Sequence, residues 1–155
     1  MDHILSIVTF VPLVGALALV FTPKDNENAI KWVAFLTTLV GFAVSLPLVF
    51  SFDAANTGMQ FVQVYDWVGA KDWGFTVGFG LDGLSLWLVM LTTFLGPIVV
   101  AGSWTNVEKR HKEFFFWVLV LQTFMIGTFL ATNLAVFYVF WELMLIPMFF
   151  LIGVW

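Results

Sequence analysis

Five apolar runs, each long enough to cross a bilayer, alternate with short polar segments along the chain. A spanning helix takes about 20 mainly apolar residues. By that measure the spans are Ile4–Phe21, Ile30–Phe52, Leu84–Trp104, Phe114–Ala131 and Leu134–Trp155. The break after the first run holds Pro23, Lys24, Asp25 and Glu27, and the break after the third holds Glu108, Lys109, Arg110, His111, Lys112 and Glu113, so both leave the membrane. Only Thr132 and Asn133 separate the last two runs. A single helix through both would far exceed the thickness of a bilayer. The pair therefore predicts a tight turn, with Asn133 as a left-handed stop or as the N-cap of the fifth helix.

The segment Asp53–Asp82 is too polar to span and too patterned for a plain loop. Phe75 to Leu81 alternates apolar residues with Thr and Gly, which predicts a half-buried strand. Gln60 to Val68 is a plausible partner with a blurred pattern, and Gly69–Gly74 would turn between them. An external β-hairpin between the second and third spans is expected; an irregular amphipathic surface loop is the alternative. Asp82 should cap the third helix. Pro12, Pro47, Pro97 and Pro147 fall inside spans, where bent packing is the ordinary consequence.

Composition fits the same picture. Apolar residues make up 61% and charged residues 10% of the chain, with a mean hydropathy of +1.00. A soluble domain is about 45–50% apolar and roughly a quarter charged. The fold class is an all-α polytopic membrane protein. With no cysteine, thiolate metal sites, iron–sulfur clusters and disulfides are excluded. His3 and His111 flank spans and read as solvated or interfacial side chains, too few and too far apart for a haem or metal site. No nucleotide-binding loop or hydrolytic triad is present, so no cofactor in this chain and no nucleic-acid partner are expected. Neither a basic segment before the first run nor a small-residue cleavage motif after it marks a signal peptide, and the run reads as a retained span. If spans alternate, Lys24, Lys31, Lys109, Arg110 and Lys112 share one side and Lys71 alone takes the other. The cation-rich side is then cytoplasmic and the N-terminus outside. Trp32, Trp104, Trp117 and Trp155 fall near the cytoplasmic interface on the same reading.

One residue breaks the apolar pattern in the middle of a span. Glu142 lies within the apolar run Ala135–Trp155, five residues before Pro147. A carboxyl at bilayer depth costs at least a few kcal/mol, so it is retained where it pairs, titrates or carries an ion. Pro147 removes the donor for the Leu143 carbonyl, placing a freed acceptor about one turn away. Tyr138, one turn earlier, is a candidate hydrogen-bond neighbour. Gln122, Thr123 and Thr128 on the fourth helix fit bonding between helices. From these residues alone, a proton-relay carboxyl, an ion-carrying antiporter site and a neutral structural glutamate all remain open.

The string from Phe137 to Trp155, with Trp141-Glu142, Leu145 and Pro147-Met148, resembles the fifth helix of the antiporter-like membrane subunits of proton-pumping NADH:quinone oxidoreductase, respiratory complex I. Gly80-Leu-Asp82-Gly83-Leu-Ser85 and Leu91-Thr-Thr-Phe-Leu-Gly-Pro97 are similar to the same family, and the likeness is greatest to the M type. The resemblance implies a proton-translocating membrane-arm subunit coupled to NADH oxidation and quinone reduction. Glu142 then matches the family's relay glutamate, expected as a buried proton-relay carboxyl facing the bundle interior, which works with a lysine two helices further on. It also implies partners among the L- and N-type subunits, the lipid bilayer, protons and internal water, and a bacterial plasma or inner membrane as the location. Residues 1–155 would form the N-terminal part of a longer antiporter-like domain, with the other relay groups beyond Trp155. Mrp-type Na⁺/H⁺ antiporters and membrane-bound hydrogenase subunits share the family, and a structural scaffold is the remaining alternative.

Overall fold

The computed structural model describes residues 3–66 and 76–155. In chain order it has α1 (Ile4–Phe21), α2 (Glu27–Ser51), β1 (Gln60–Asp66), β2 (Thr76–Leu81), α3 (Gly83–Gly102), α4 (His111–Leu130) and α5 (Leu134–Val154). All five helices have the length and hydropathy to cross a membrane, making this a multi-pass membrane protein. The Gly69–Gly74 turn expected from the sequence lies outside the described residues, as do Trp67, Val68 and Phe75. The helices run on past the apolar stretches where a cap allows it. Asn26 accepts the Ala29 N–H at 3.1 Å, so α2 begins at Glu27. Asp82 accepts the Ser85 N–H at 2.7 Å while its own N–H donates to Ser85 Oγ at 2.8 Å, closing a capping box. Hydrogen bonds to the Asp82 carboxyl, that from the Ser85 backbone first, hold it below its usual value. All four intrahelical prolines sit in unbroken helices.

α4 is the hub, packing against α1, α2, α3 and α5, while α2 lies between α1 and α3. Two apolar clusters form the core. Leu5, Val8, Leu48, Phe79, Leu86, Val89 and Ile126 belong to one, and Ala16, Leu19, Ala34, Val100, Phe115 and Val120 to the other. On every helix from α1 to α4 the residues between the two clusters include buried polar or small ones: Thr9, Gly15, Thr38, Ser45, Thr92, Thr93, Gly96, Gln122 and Thr123. These let backbones approach, as small residues do in membrane interfaces. A Cβ on Gly15 would lie 2.2 Å from Thr37 Cγ2, so only glycine fits that α1–α2 contact. Ser45 Oγ and Thr93 Oγ1 meet at 2.9 Å between α2 and α3.

The expected interhelical bonding from α4 holds for one of three residues. Gln122 Nε2 donates across to the Thr92 carbonyl of α3 at 3.4 Å. Thr123 and Thr128 instead donate to their own helix, at Leu119 O and Phe124 O. A short hydroxyl reaches its own i−4 carbonyl more readily than a neighbouring helix, and needs no water there.

β1 and β2 pair antiparallel, with Gln63 opposite Phe79 and Tyr65 opposite Val77. An irregularity between Gln60 and Gln63, with Phe61 at φ 54°, accounts for the blurred alternation of β1. β2 departs from the half-buried strand that its alternation predicts, because Gly78 through Leu81 are buried on both faces. The glycine face is covered by the α4–α5 turn. Thr132 N–H donates to Gly78 O at 3.0 Å, and a Cβ on Gly78 would sit 2.1 Å from Thr132 Oγ1. Asn133 clamps the same junction: its Oδ1 accepts Val136 N–H at 2.9 Å as the N-cap of α5, and its Nδ2 donates to Thr76 O at 2.7 Å. Ser6 Oγ donates to Gln63 Oε1 at 2.6 Å, fastening β1 to the start of α1. The hairpin thus closes one end of the bundle. At the other end Lys112 Nζ donates to Val20 O at 2.7 Å and Thr22 O at 2.8 Å, and Trp155 Nε1 donates to Lys109 O at 2.8 Å. The cations that the sequence assigns to one side share that end.

Candidate functional site

Glu142 lies nine residues into α5 from its Asn133 cap. At 1.5 Å per residue that is about 13 Å along the axis, close to the middle of a hydrocarbon core of about 30 Å. Glu27 and Glu113 also fall within helices, but both in a first turn, where water and headgroups reach them.

The face on which Glu142 stands follows from how α5 meets α4. Val136 and Pro147 are the buried residues of α5. Phe140 packs over Gly127, where a Cβ would come within 2.5 Å of the ring, and its centroid is 6.3 Å from that of Phe124 and 6.0 Å from that of Phe79. Each residue turns the helix by about 100°, so Glu142 points about 200° away from Phe140. It is exposed on the open face of α5, beside a shallow depression that it lines with Leu143, Leu145, Ile146 and Phe149. The sequence-based expectation of a glutamate facing the bundle interior is therefore not met within these five helices. Among the described residues α5 packs extensively only on α4, and one contact stripe leaves the opposite face uncovered.

Tyr138 stands one turn earlier on the same exposed face. Among the described residues no ion pair reaches Glu142; the pairs found join Lys31 and His111 to Glu27 and Arg110 to Glu113 near the cationic end. Pro147 packs on the buried side of a helix that continues to Val154. The proline shapes the α4–α5 contact, and the carboxyl faces away from it. His3 and His111 are drawn into separate surroundings. A ring nitrogen of His3 lies 3.0 Å from the Tyr65 hydroxyl at the hairpin end, and His111 Nδ1 lies 3.6 Å from Glu27 Oε1 at the other. Sequence reasoning did not foresee two buried amide atoms, Gln63 Nε2 and Gln122 Oε1, that have no hydrogen-bond partner among the described residues.

A mid-depth carboxyl on an otherwise apolar open face, together with the hairpin-capped bundle, can be set beside known families. The family model for the amino terminus of NADH-ubiquinone oxidoreductase chain 4 matches residues 7–128. The chain belongs to this family. It is 47% identical to NADH-quinone oxidoreductase subunit M of Rhodobacter capsulatus over 160 residues, covering 100% of this chain and 30% of that protein. It is 37% identical to NADH-ubiquinone oxidoreductase chain 4 of Arabidopsis thaliana, with coverages of 93% and 29%. Against chain 4 of Mycosarcoma maydis the identity is 36%, with coverages of 97% and 31%. The chain thus spans just under a third of the length of the curated relatives it matches. Those relatives are subunits of an enzyme complex, and the M-type resemblance read from the fifth helix agrees with their names. Glu142 lies beyond the residues matched by the family model but inside the alignment to the Rhodobacter subunit.

Proposed function

We propose that this chain forms the amino-terminal helices of a proton-translocating membrane-arm subunit coupled to NADH oxidation and quinone reduction, with Glu142 as a proton-relay carboxyl. The observation that carries the proposal is the placement of a lone mid-span carboxylate on the open face of α5, the least buried of the five described helices. A carboxyl there holds or releases a proton according to the charge brought beside it. Desolvation favours the neutral acid, and a nearby cation favours the carboxylate. Moving a cation toward or away from the open face of α5 therefore loads and unloads the site without any cofactor. The rest of such a relay, and other membrane subunits of the complex as neighbours, complete the proposal.

The test is a substitution series in the assembled complex, read by NADH-driven acidification in sealed vesicles. Glu142→Gln and Glu142→Ala should assemble, yet lose at least about a hundredfold in pumping and in coupled quinone reduction, the low end of what a positioned proton-transfer group contributes. Glu142→Asp should keep part of the rate, because the carboxyl remains but retreats by one methylene. Full pumping by an assembled Glu142→Gln complex would leave the structural-scaffold reading in its place.

A further inference from the structure

The cationic end of the bundle holds a groove that the proton relay does not use. It lies where the end of α1, the start of α4 and the end of α5 meet, has a volume of about 390 Å³, and is open to the surroundings of the bundle. Its rim carries Lys24, Arg110, Lys112 and a single acid, Glu113. Its inner wall is apolar and aromatic, with Phe116, Trp117, Phe150 and Val154. Trp117 and Phe150 stack at 4.5 Å and 10°, giving that wall a flat floor.

The charges are not used up among the described residues. Arg110 pairs with Glu113, and its guanidinium lies 6.0 Å from the centre of the Trp155 ring. Lys112 spends two of its three protons on Val20 O and Thr22 O, which are neutral carbonyls, and no acid among the described residues pairs with it. Lys24 is exposed. Three cations against one carboxylate leave the rim positive, directly above an apolar wall formed by spanning helices.

We propose that this groove binds an anionic glycerophospholipid from the adjacent leaflet, its phosphate among Lys24, Arg110 and Lys112 and an acyl chain along Trp117 and Phe150. The occupant follows from two complementarities at once. The positive rim selects a negative headgroup, and basic pockets between spanning helices have that preference in general. The wall below it lies within spanning segments, so the apolar part of the ligand comes from the bilayer. A soluble anion would satisfy the rim and leave the wall empty.

The experiment uses the whole protein that carries this chain, in vesicles containing a photoactivatable phosphatidylglycerol or a phosphatidylcholine with the same labelled acyl chain. Cross-links are mapped by peptide mass spectrometry. Phosphatidylglycerol should label the Phe116–Trp117 and Phe150–Val154 stretches more than phosphatidylcholine, by about fivefold for each free cation it meets. The double variant Lys24→Gln, Arg110→Asn should reduce that labelling to the phosphatidylcholine level at an unchanged melting temperature. Asparagine suits position 110 because Arg110 has φ 56°, a left-handed conformation that Asn tolerates. Lys112 is left in place because it also holds the end of α1. Equal labelling by both lipids would make the groove ordinary annular surface. No labelling by either would mean that protein fills it. Loss of labelling to inorganic phosphate would assign the rim to a soluble anion. Each of those results overturns the proposal, as does labelling that the double variant leaves unchanged.

Discussion

Glu142 and Phe140 stand two positions apart on α5 and do opposite things. Phe140 presses into the space left by Gly127, and Glu142 is thereby turned to the open side. The existence of a mid-span carboxyl was legible from sequence, since one acid among apolar neighbours needs no periodicity to be seen. Its direction was not. α5 is apolar on every side, so no stripe marks the face that meets α4, and the contact is decided by a glycine on another helix. Pro147 misled for the same reason. Its nearness in sequence suggested a shared site with Glu142, whereas five residues of helix turn it about 140° away from the carboxyl.

At the scale of elements, the five helices and the hairpin were readable because polar breaks and caps delimit them. Asn133 and Asp82 cap as their residue types predict. What alternation alone did not convey was the double burial of β2, because the residues covering its glycine face come from the α4–α5 turn more than fifty positions later. The α4–α5 contact yields a specific expectation. Gly127→Ala sets a methyl where the Phe140 ring now lies, and overpacking of this kind costs about 1–3 kcal/mol. The purified protein should melt at a lower temperature, and the double variant Gly127→Ala, Phe140→Leu should regain a good part of the loss. Independent, additive effects of the two substitutions would show that the ring does not rely on that glycine.

Among the described residues, the hairpin closes one end and the cations gather at the other, an asymmetry from which the positive-inside rule predicts an orientation. The chain has no cysteine, so single cysteines report position without background. Asn56→Cys beside the hairpin and Lys109→Cys at the cationic end should react with an impermeant maleimide from opposite faces of oriented vesicles, Asn56→Cys from outside; reaction from one common face would reject the five-span topology. The proton relay itself is tested most directly by watching the carboxyl. Redox-difference infrared spectra of the assembled complex, taken during NADH oxidation, should contain a protonated-carboxyl band that disappears in Glu142→Gln. Spectra with the same carboxyl bands in both proteins, alongside undiminished pumping, would contradict the assignment of Glu142 to the relay.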